Sequence, residues 1–283
     1  MASTCAIIAG GGSFPLHVAG EARRQGLKVV GIGLSGWVDP TLASHVDAYE
    51  EVMVGQLGRL VERLKAHQTT QAIMAGKVTK EVLFDPRARF DAEALSILRR
   101  VKDVSVNGLL GAIAEWLAHN GIQLLDSSTF LKSSLCPAGT LTSRQPTPEE
   151  QEDIRLGVCA ARQLAELDIG QTVVVKQRVI VAAEALEGTD AAMTRAGHLA
   201  GCGLVVVKVA SPKQDMRFDL PIMGPQTIAV AAAAGVACLA VEAGKTILLD
   251  KDTVIANANH ARLSLVGITA SGGIAAEGES TSV

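Results

Sequence analysis

The chain has 283 residues, a length that suits two compact domains better than one. Hydrophobic residues make up 48% of it and aromatic residues only 3%, so its cores must consist of Ala, Val, Ile and Leu, as in α/β proteins with apolar parallel strands. A net charge of −3, with no basic cluster longer than Arg99-Arg100, excludes a nucleic-acid-binding surface.

The first half of the chain alternates strand and helix from its beginning. A short apolar strand over 5–9 leads through a glycine-rich turn into a helix over 16–25 and then a strand over 27–34. This alternation predicts a Rossmann-like α/β domain over residues 1–136, in which helices cover both faces of a parallel sheet. The remaining elements predicted for it are helices 54–67, 91–101 and 109–120 and strands 71–75 and 121–126.

Glycine-rich and polar turns follow the predicted strands of this domain. Ligands of parallel sheets bind beyond the carboxyl ends of the strands, and bare backbone N–H groups at a helix start attract anions. A tight turn without a ligand is the alternative. A dinucleotide fingerprint is excluded, because Pro15 replaces its third glycine and no acid follows the second strand. The candidates for phosphate contacts are Gly11, Gly12, Ser13, Gly76 and Lys77.

Residues 137–147 are rich in turn-forming and polar residues, which predicts a linker or hinge before a second α/β domain over 148–268. Thr147, Pro148 and Glu150 predict a capping box that begins a helix ending near 167. A Gly- and Ser-rich segment over 269–283 is predicted to be a flexible tail. Strands 172–176 and 178–183 are contiguous enough for a hairpin or a bent strand. The other predicted elements are strands 204–209, 237–241 and 246–249, and helices 190–200 and 225–234.

Before the first of these later helices, Gly188 and Thr189 form a short polar motif with Glu187 and Asp190. The pattern predicts Thr189 as the helix N-cap, with Asp190 in the first turn. Simple capping and a role in ligand binding both explain it.

The five cysteines are odd in number and show no CxxC spacing, which favours a reducing cytosol over a disulfide framework or structural zinc. Residues 1–4 lead straight into a strand, so we expect no signal peptide. The uncharged stretch 220–241 is interrupted by Pro and Gly, and a strand, loop, helix and strand explain it better than a membrane span. We therefore expect a soluble, cytoplasmic protein.

The connector between the strand 204–207 and the helix that starts at 225 is the most informative part of the chain. Carboxylates hold a hard divalent cation, while Arg and Lys neutralise phosphoryl oxygens, so this composition favours phosphate chemistry. A solvated loop whose charges pair among themselves is the alternative. The polar residues of the connector are Lys208, Lys213, Gln214, Asp215, Arg217 and Asp219.

Other common chemistries find no support. The six histidines are scattered without HxH or HExxH spacing, so a histidine-ligated metal is not expected. Ser127-Ser128 lacks the glycines of a serine-hydrolase elbow. Neither a Nudix box nor the metal-binding blocks of calcineurin-like phosphoesterases occur.

Taken together, these segments resemble one family, the single-chain, two-domain UDP-2,3-diacylglucosamine pyrophosphatases of lipid A biosynthesis. The resemblance spans about residues 5–268, and the connector block 208–221 is its most specific part. The segments that carry it are 8–15, 76–77, 167–175, 187–190, 207–221 and 239–245.

The resemblance implies Mg²⁺- or Mn²⁺-dependent cleavage of the substrate's pyrophosphate to UMP and 2,3-diacylglucosamine 1-phosphate (lipid X). Asp215 and Asp219 are then the first choices for metal binding and water activation, with Asp190 or Glu187 as a third carboxylate. Catalysis of this kind is chiefly charge neutralisation and alignment of water. Arg217, Lys208 and Lys213 would clamp the phosphates, Gln214 would orient a hydroxyl or the water, and Gly188 and Thr189 would contact the substrate.

The family further implies a distinct C-terminal α/β domain and a lipid product held between the domains, which we expect to close about 137–147. Because the substrate is a lipid, we expect reversible docking on the cytoplasmic face of the inner membrane of a Gram-negative bacterium. Whether the protein forms a homodimer is left open at this point. A nucleotide-dependent oxidoreductase and a non-catalytic nucleotide-sugar or lipid carrier are the alternatives. Binding of NAD(P) would favour the first, and binding without turnover would favour the second.

Overall fold

A computed structural model of the chain describes residues 3–78, 89–101, 106–211, 215–218, 220–269 and 272–274. It divides into two compact units. The N-terminal unit comprises Met1–Lys132 and Asp215–Asp219, and the C-terminal unit comprises Ser133–Gln214 and Leu220–Val283. The N-terminal unit therefore takes in a short piece of the connector singled out above.

The N-terminal unit contains a five-stranded sheet in the order β3-β2-β1-β4-β5, and every neighbouring pair is parallel. The predicted parallel α/β architecture is confirmed. Strand β3 was not predicted, because its half-exposed sequence Ala-Tyr-Glu-Glu-Val lacks the apolar run of a central strand. The elements are β1 Thr4–Ala9, α1 Phe14–Arg24, β2 Lys28–Leu34, β3 Ala48–Val52, α2 Leu57–Ala66, β4 Gln71–Ala75, α3 Ala92–Arg100, α4 Val106–His119 and β5 Gln123–Leu124.

The C-terminal unit contains a mixed six-stranded sheet in the order β6-β13-β11-β9-β7-β8. Strands β9, β11 and β13 are parallel, and β6 is antiparallel to β13. Strands β7 and β8 form an antiparallel hairpin, which is one of the two arrangements predicted for them, and β7 is antiparallel to β9. Strands β10 and β12 pair separately. The elements are β6 Gly139–Thr140, α5 Pro148–Glu166, β7 Thr172–Lys176, β8 Val179–Ala183, α6 Thr189–Ala200, β9 Leu204–Lys208, β10 Ile222–Met223, α7 Pro225–Ala233, β11 Val236–Glu242, β12 Ile247–Leu248, α8 Lys251–His260 and β13 Ser264–Ile268.

Helices cover both faces of this sheet, which explains its continuous apolar strands. In β9, Val205 and Val207 belong to the core beneath α5, while Leu204 and Val206 belong to the core shared with α6, α7 and α8. Successive residues of a strand point to opposite faces, so an uninterrupted run of apolar residues serves two cores. The predicted distinct α/β domain in this half is confirmed.

The start of α5 confirms the predicted capping box. The Thr147 hydroxyl accepts from the Glu150 amide at 3.2 Å, and the Glu150 carboxylate accepts from the Thr147 amide at 2.9 Å. The predicted N-cap of α6 was wrong: Gly188, with φ of +83°, occupies that position, and Thr189 is the first helical residue. The hydroxyl of Thr189 is engaged by other side chains instead.

Residues 137–147 follow the edge of the C-terminal sheet. Strand β6 pairs with β13, and the Leu141 amide donates to the carbonyl of Leu265 at 2.8 Å. The first residues of the predicted tail also contact this unit, because Ile274 bridges to Ile268 and packs on the core beneath α5. The hinge about 137–147 stays a prediction, and the rest of the tail lies outside the described residues.

Among the described residues, no helix has the length and apolar character needed to cross a membrane. The stretch 220–241, which resembles a span in hydropathy, instead forms β10, α7 and most of β11. This is the strand, loop, helix and strand that the sequence predicts.

Candidate functional site

Two of the predicted phosphate-binding turns lie side by side in the N-terminal unit, at the carboxyl ends of β1 and β4. Gly11 and Lys77 exchange backbone hydrogen bonds of 2.8 and 2.9 Å. Gly76 has φ of +90°, and a Cβ atom there would lie 2.7 Å from backbone atoms of Gly10 and Gly11. These turns can approach so closely only because glycines occupy the contact positions.

The tip of the first turn is exposed to solvent at the start of α1. Gly12 and Ser13 are exposed, and the Ser13 carbonyl accepts from the amides of Leu16 and His17 while its hydroxyl makes no capping bond. Lys77 is exposed beside them. Backbone N–H groups and the positive end of a helix dipole are suited to an anion, so this turn is chemically able to contact a phosphate.

The connector piece within the N-terminal unit is anchored by Ser127, which follows β5. The Ser127 amide donates to the carbonyl of Met216 at 2.9 Å, and its hydroxyl lies 2.8 and 2.7 Å from the carbonyls of Met74 and Arg217. Phe218 packs against the core of the same unit. Arg217 and its neighbours are therefore attached near the carboxyl end of β4.

Asp215 and Arg217 form an ion pair with each other. The Arg217 Nε lies 2.9 Å from Oδ1 and 3.1 Å from Oδ2 of Asp215, and Nη2 also donates to Oδ2. These hydrogen bonds lower the pKa of Asp215 and raise that of Arg217, while Asp126 and Glu115 add negative potential around the guanidinium. A carboxylate expected to hold a metal and a guanidinium expected to bind phosphate are thus partners in this structure.

A second cluster of polar side chains lies within the C-terminal unit, where β9 ends. Lys208 is only 8% exposed, and its Nζ donates to the Thr189 hydroxyl at 2.7 Å. The same ammonium lies 3.5 Å from the Thr172 hydroxyl and 4.0 Å from a carboxylate oxygen of Glu184. A buried ammonium needs such partners, because removing a charge from water without compensating hydrogen bonds or an opposite charge costs several kcal/mol of free energy.

Of the acids predicted to hold a metal, Asp215 belongs to the N-terminal unit, and Glu187 and Asp190 belong to the C-terminal unit. Glu187 is exposed and pairs with Arg195 at 2.6 Å. A backbone hydrogen bond and then the hydrogen bond from Arg195 lower the pKa of Glu187. Asp190 is exposed on the first turn of α6. Among the described residues, no group of three His, Cys, Asp or Glu side chains is placed to hold a metal ion. Lys213, Gln214 and Asp219 lie outside the described residues.

Comparison with known proteins identifies both halves of the chain. The LpxI N-terminal domain matches residues 4–134, and the LpxI C-terminal domain matches residues 137–266. The chain belongs to the LpxI family. A relative from Caulobacter vibrioides, named UDP-2,3-diacylglucosamine pyrophosphatase LpxI, is 30% identical over 274 residues that cover 93% of this chain and 96% of the relative.

Two solved structures share partial similarity with this LpxI-family chain, each at 12% identity. A glycinamide-RNase-transformylase T from Mycobacterium tuberculosis matches 65% of this chain and 44% of its own length with a TM-score of 0.25. The Bordetella bronchiseptica enzyme WbmH, in complex with NAD⁺, matches 54% and 62% with a TM-score of 0.27. TM-scores this low carry no argument about fold or ligand.

Glu184 is a buried acid of this LpxI-family chain that was not singled out from the sequence. Glu184 lies directly after β8 in an apolar run, Ala182-Ala183-Glu184-Ala185-Leu186, and is 7% exposed. A single acid among apolar residues after a predicted strand was the available signal, since an acid is rarely buried without a partner. Only the strand pairing shows that its partner is the cluster around Lys208.

Proposed function

We propose that this chain hydrolyses the pyrophosphate of UDP-2,3-diacylglucosamine to UMP and 2,3-diacylglucosamine 1-phosphate, a step of lipid A biosynthesis. The observation that carries the proposal is the Caulobacter vibrioides relative with that activity in its name, whose similarity extends over almost the full length of both proteins. The matches to the LpxI N-terminal domain and, after it in the chain, to the LpxI C-terminal domain also support the proposal.

Each unit, taken by itself, holds groups that suit this chemistry. A pyrophosphate diester is already negatively charged, so its hydrolysis depends on charge neutralisation and on alignment of the attacking water. Lys208 in the C-terminal unit, and Arg217 with the Gly11–Ser13 turn in the N-terminal unit, are cationic or N–H-rich groups able to bind phosphoryl oxygens. Lys208 is our first choice for stabilising the developing charge, because its position is fixed by buried neighbours.

Dependence on Mg²⁺ or Mn²⁺ is part of the proposal, since a hard divalent ion would offset charge on the phosphoryl oxygens. The described carboxylates do not form a preformed metal site, because Asp215 is paired with Arg217 and Glu187 is paired with Arg195. We therefore assign no step to the ion. Excess chelator should remove activity and added Mg²⁺ should restore it, whereas full turnover by metal-free protein would refute the dependence.

A diacylated substrate resides in a bilayer, so we infer reversible docking on the cytoplasmic face of the inner membrane. Helices rich in Ala and Val, such as α7, offer apolar surface without aromatic side chains for the acyl chains. Closure of the two domains about 137–147 and assembly into a homodimer stay predictions. Sedimentation with and without liposomes that contain the substrate would test the docking.

The experiment that tests the proposed function is turnover of purified UDP-2,3-diacylglucosamine with Mg²⁺, followed by separation of UMP and the lipid phosphate. We expect both products in equal amounts, and we expect Lys208→Met to produce neither at a comparable rate. Substrate binding without products would favour the carrier. Binding of NAD(P), with no cleavage of the UDP lipid, would favour the oxidoreductase.

A further inference from the structure

The buried cluster around Lys208 is assembled from three neighbouring strands and the first residue of a helix. Thr172 on β7 lies opposite Lys208 on β9 in the strand register, and the Glu184 amide donates to the Thr172 carbonyl at 2.9 Å. Thr189 begins α6 above them. The cluster therefore depends on the sheet of the C-terminal unit and not on the conformation of a single loop.

The chemistry of each group fixes the direction of its hydrogen bonds. An ammonium only donates and an ionised carboxylate only accepts, whereas a hydroxyl does both. The Thr189 hydroxyl must therefore accept from Lys208 at 2.7 Å and donate to Glu184 Oε1 at 2.8 Å. Glu184 is held in turn, because its Oε2 accepts from the Gln171 amide at 3.3 Å.

We propose that Glu184 is the positioning residue for Lys208, acting through the Thr189 hydroxyl. The carboxylate lies 4.0 Å from the ammonium as an opposite charge, and the chain of two hydrogen bonds fixes the place of Nζ. The hydroxyl of Thr189 is used in this chain, so a contact of Thr189 with substrate would come from its backbone N–H. This inference rests on the proposed function, in which Lys208 binds phosphoryl oxygens.

The first test compares two buried carboxylates that lie beside the same β7–β8 hairpin, Glu184 directly after β8 and Asp153 on α5. Glu184→Gln keeps the shape of the side chain but removes its charge, and a misplaced catalytic group can cost about 100-fold in rate. We expect kcat to fall by about that factor with a much smaller change in KM. The control is Asp153→Asn: Asp153 is 5% exposed and accepts from the amides of Gln177 and Arg178, at the opposite end of the β7–β8 hairpin.

Asp153→Asn should lower thermal stability without lowering kcat. A kcat for Glu184→Gln within about two-fold of the control value would overturn the proposal, because a merely structural role predicts equal kinetics for the two variants.

A second pair of variants tests the hydroxyl and covers the case in which Glu184→Gln does not fold. Thr189→Val removes the hydroxyl at constant shape, and Thr189→Ser retains it. We expect Thr189→Val to lose kcat as Glu184→Gln does and Thr189→Ser to restore it to within a few-fold. The double variant Glu184→Gln/Thr189→Val should be no slower than the slower single variant, since both break one chain. Losses that multiply would contradict the proposal.

A stability cycle separates this inference from the proposed function. Lys208→Met removes the cation beside the buried Glu184 carboxylate, and Glu184→Gln removes the negative charge that lies 4.0 Å from the Lys208 ammonium. We expect each to lower the melting temperature and the double variant to lower it by less than the sum, even if the wild-type protein cleaves no UDP lipid. Additive shifts would overturn the coupling, whereas coupled shifts without turnover would refute only the proposed function.

Discussion

Arg217 of the N-terminal unit and Lys208 of the C-terminal unit are both cations near the carboxyl end of a strand, but they are fixed in different ways. Arg217 pairs with Asp215 two residues earlier, and both side chains are about one-third exposed. Lys208 is buried and is held by residues 19 to 36 positions away in sequence. A local, hydrated pair can open at little cost, whereas a buried network cannot lose one member cheaply. We infer that Lys208 is preorganised and that the Asp215–Arg217 pair is exchangeable.

The largest loss of activity and stability should come from Lys208→Met, which removes the ammonium from the buried cluster. Removing one group that stabilises charge in a transition state costs about 10²–10³-fold in rate. Leaving Glu184 without its cation should also lower the free energy of unfolding by about 3–5 kcal/mol. Steady-state kinetics and chemical denaturation would measure the two losses. A variant as stable as the wild type would show that Lys208 is not part of a buried network.

The exposed region should separate activity from stability. Asp215→Ala should lower kcat severely while leaving substrate affinity nearly intact, because the lost interaction acts mainly in the transition state. Its effect on the free energy of unfolding should be at most about 1 kcal/mol, the size expected for a partly exposed ion pair. A near-normal kcat would indicate that Asp215 and Arg217 only pair with each other in a solvated loop and take no part in catalysis.

The glycine turns of the N-terminal unit offer a smaller, purely structural contrast. Gly76→Ala would place a Cβ atom 2.7 Å from backbone atoms at a φ of +90°, so we expect a loss of about 3 kcal/mol in unfolding free energy. Gly12 has a similar φ of +88° but open space around it, so Gly12→Ala should cost only about 1 kcal/mol. Equal losses in thermal denaturation would refute the close approach of the two turns.

The smallest expected effect is the pH response of the exposed pair. Hydrogen bonds from Arg217 lower the pKa of Asp215, so the pair stabilises the fold above the pKa of the unfolded carboxyl, about 3.9. That stabilisation is lost as pH falls through the lower pKa of the folded state. An NMR titration of the Asp215 carboxyl carbon should show a midpoint below the usual value, and Arg217→Gln should move the midpoint upward. An unchanged midpoint would indicate that the pair does not persist in solution.

The sequence predicts what is local and misses what depends on strand pairing. The Thr147 capping box was predicted, and the β7–β8 hairpin was one of two predicted arrangements, because the residues that make each of them lie within a few positions of one another. Helix α8 and strand β13 were missed, although β13 is fully buried beside β11.

The site shows the same division. Arg217 and Asp215 were selected as candidates from their spacing in the connector. Because they pair with each other, one cannot simply be assigned to phosphate binding and the other to metal binding. Thr189 was predicted as a helix cap, but its hydroxyl instead accepts from the buried Lys208 ammonium and donates to the buried Glu184 carboxylate. Glu184 could not be assigned from sequence, because only the register of β7, β8 and β9 brings it to Lys208.

The most direct test of the account is a single-turnover assay that compares the wild type with Lys208→Met and Asp153→Asn. The substrate is UDP-2,3-diacylglucosamine with Mg²⁺, and mass spectrometry identifies the products. The account predicts UMP and 2,3-diacylglucosamine 1-phosphate from the wild type and from Asp153→Asn at similar rates, and a rate at least about 100-fold lower from Lys208→Met. Release of UDP, or equal rates for all three proteins, would contradict it.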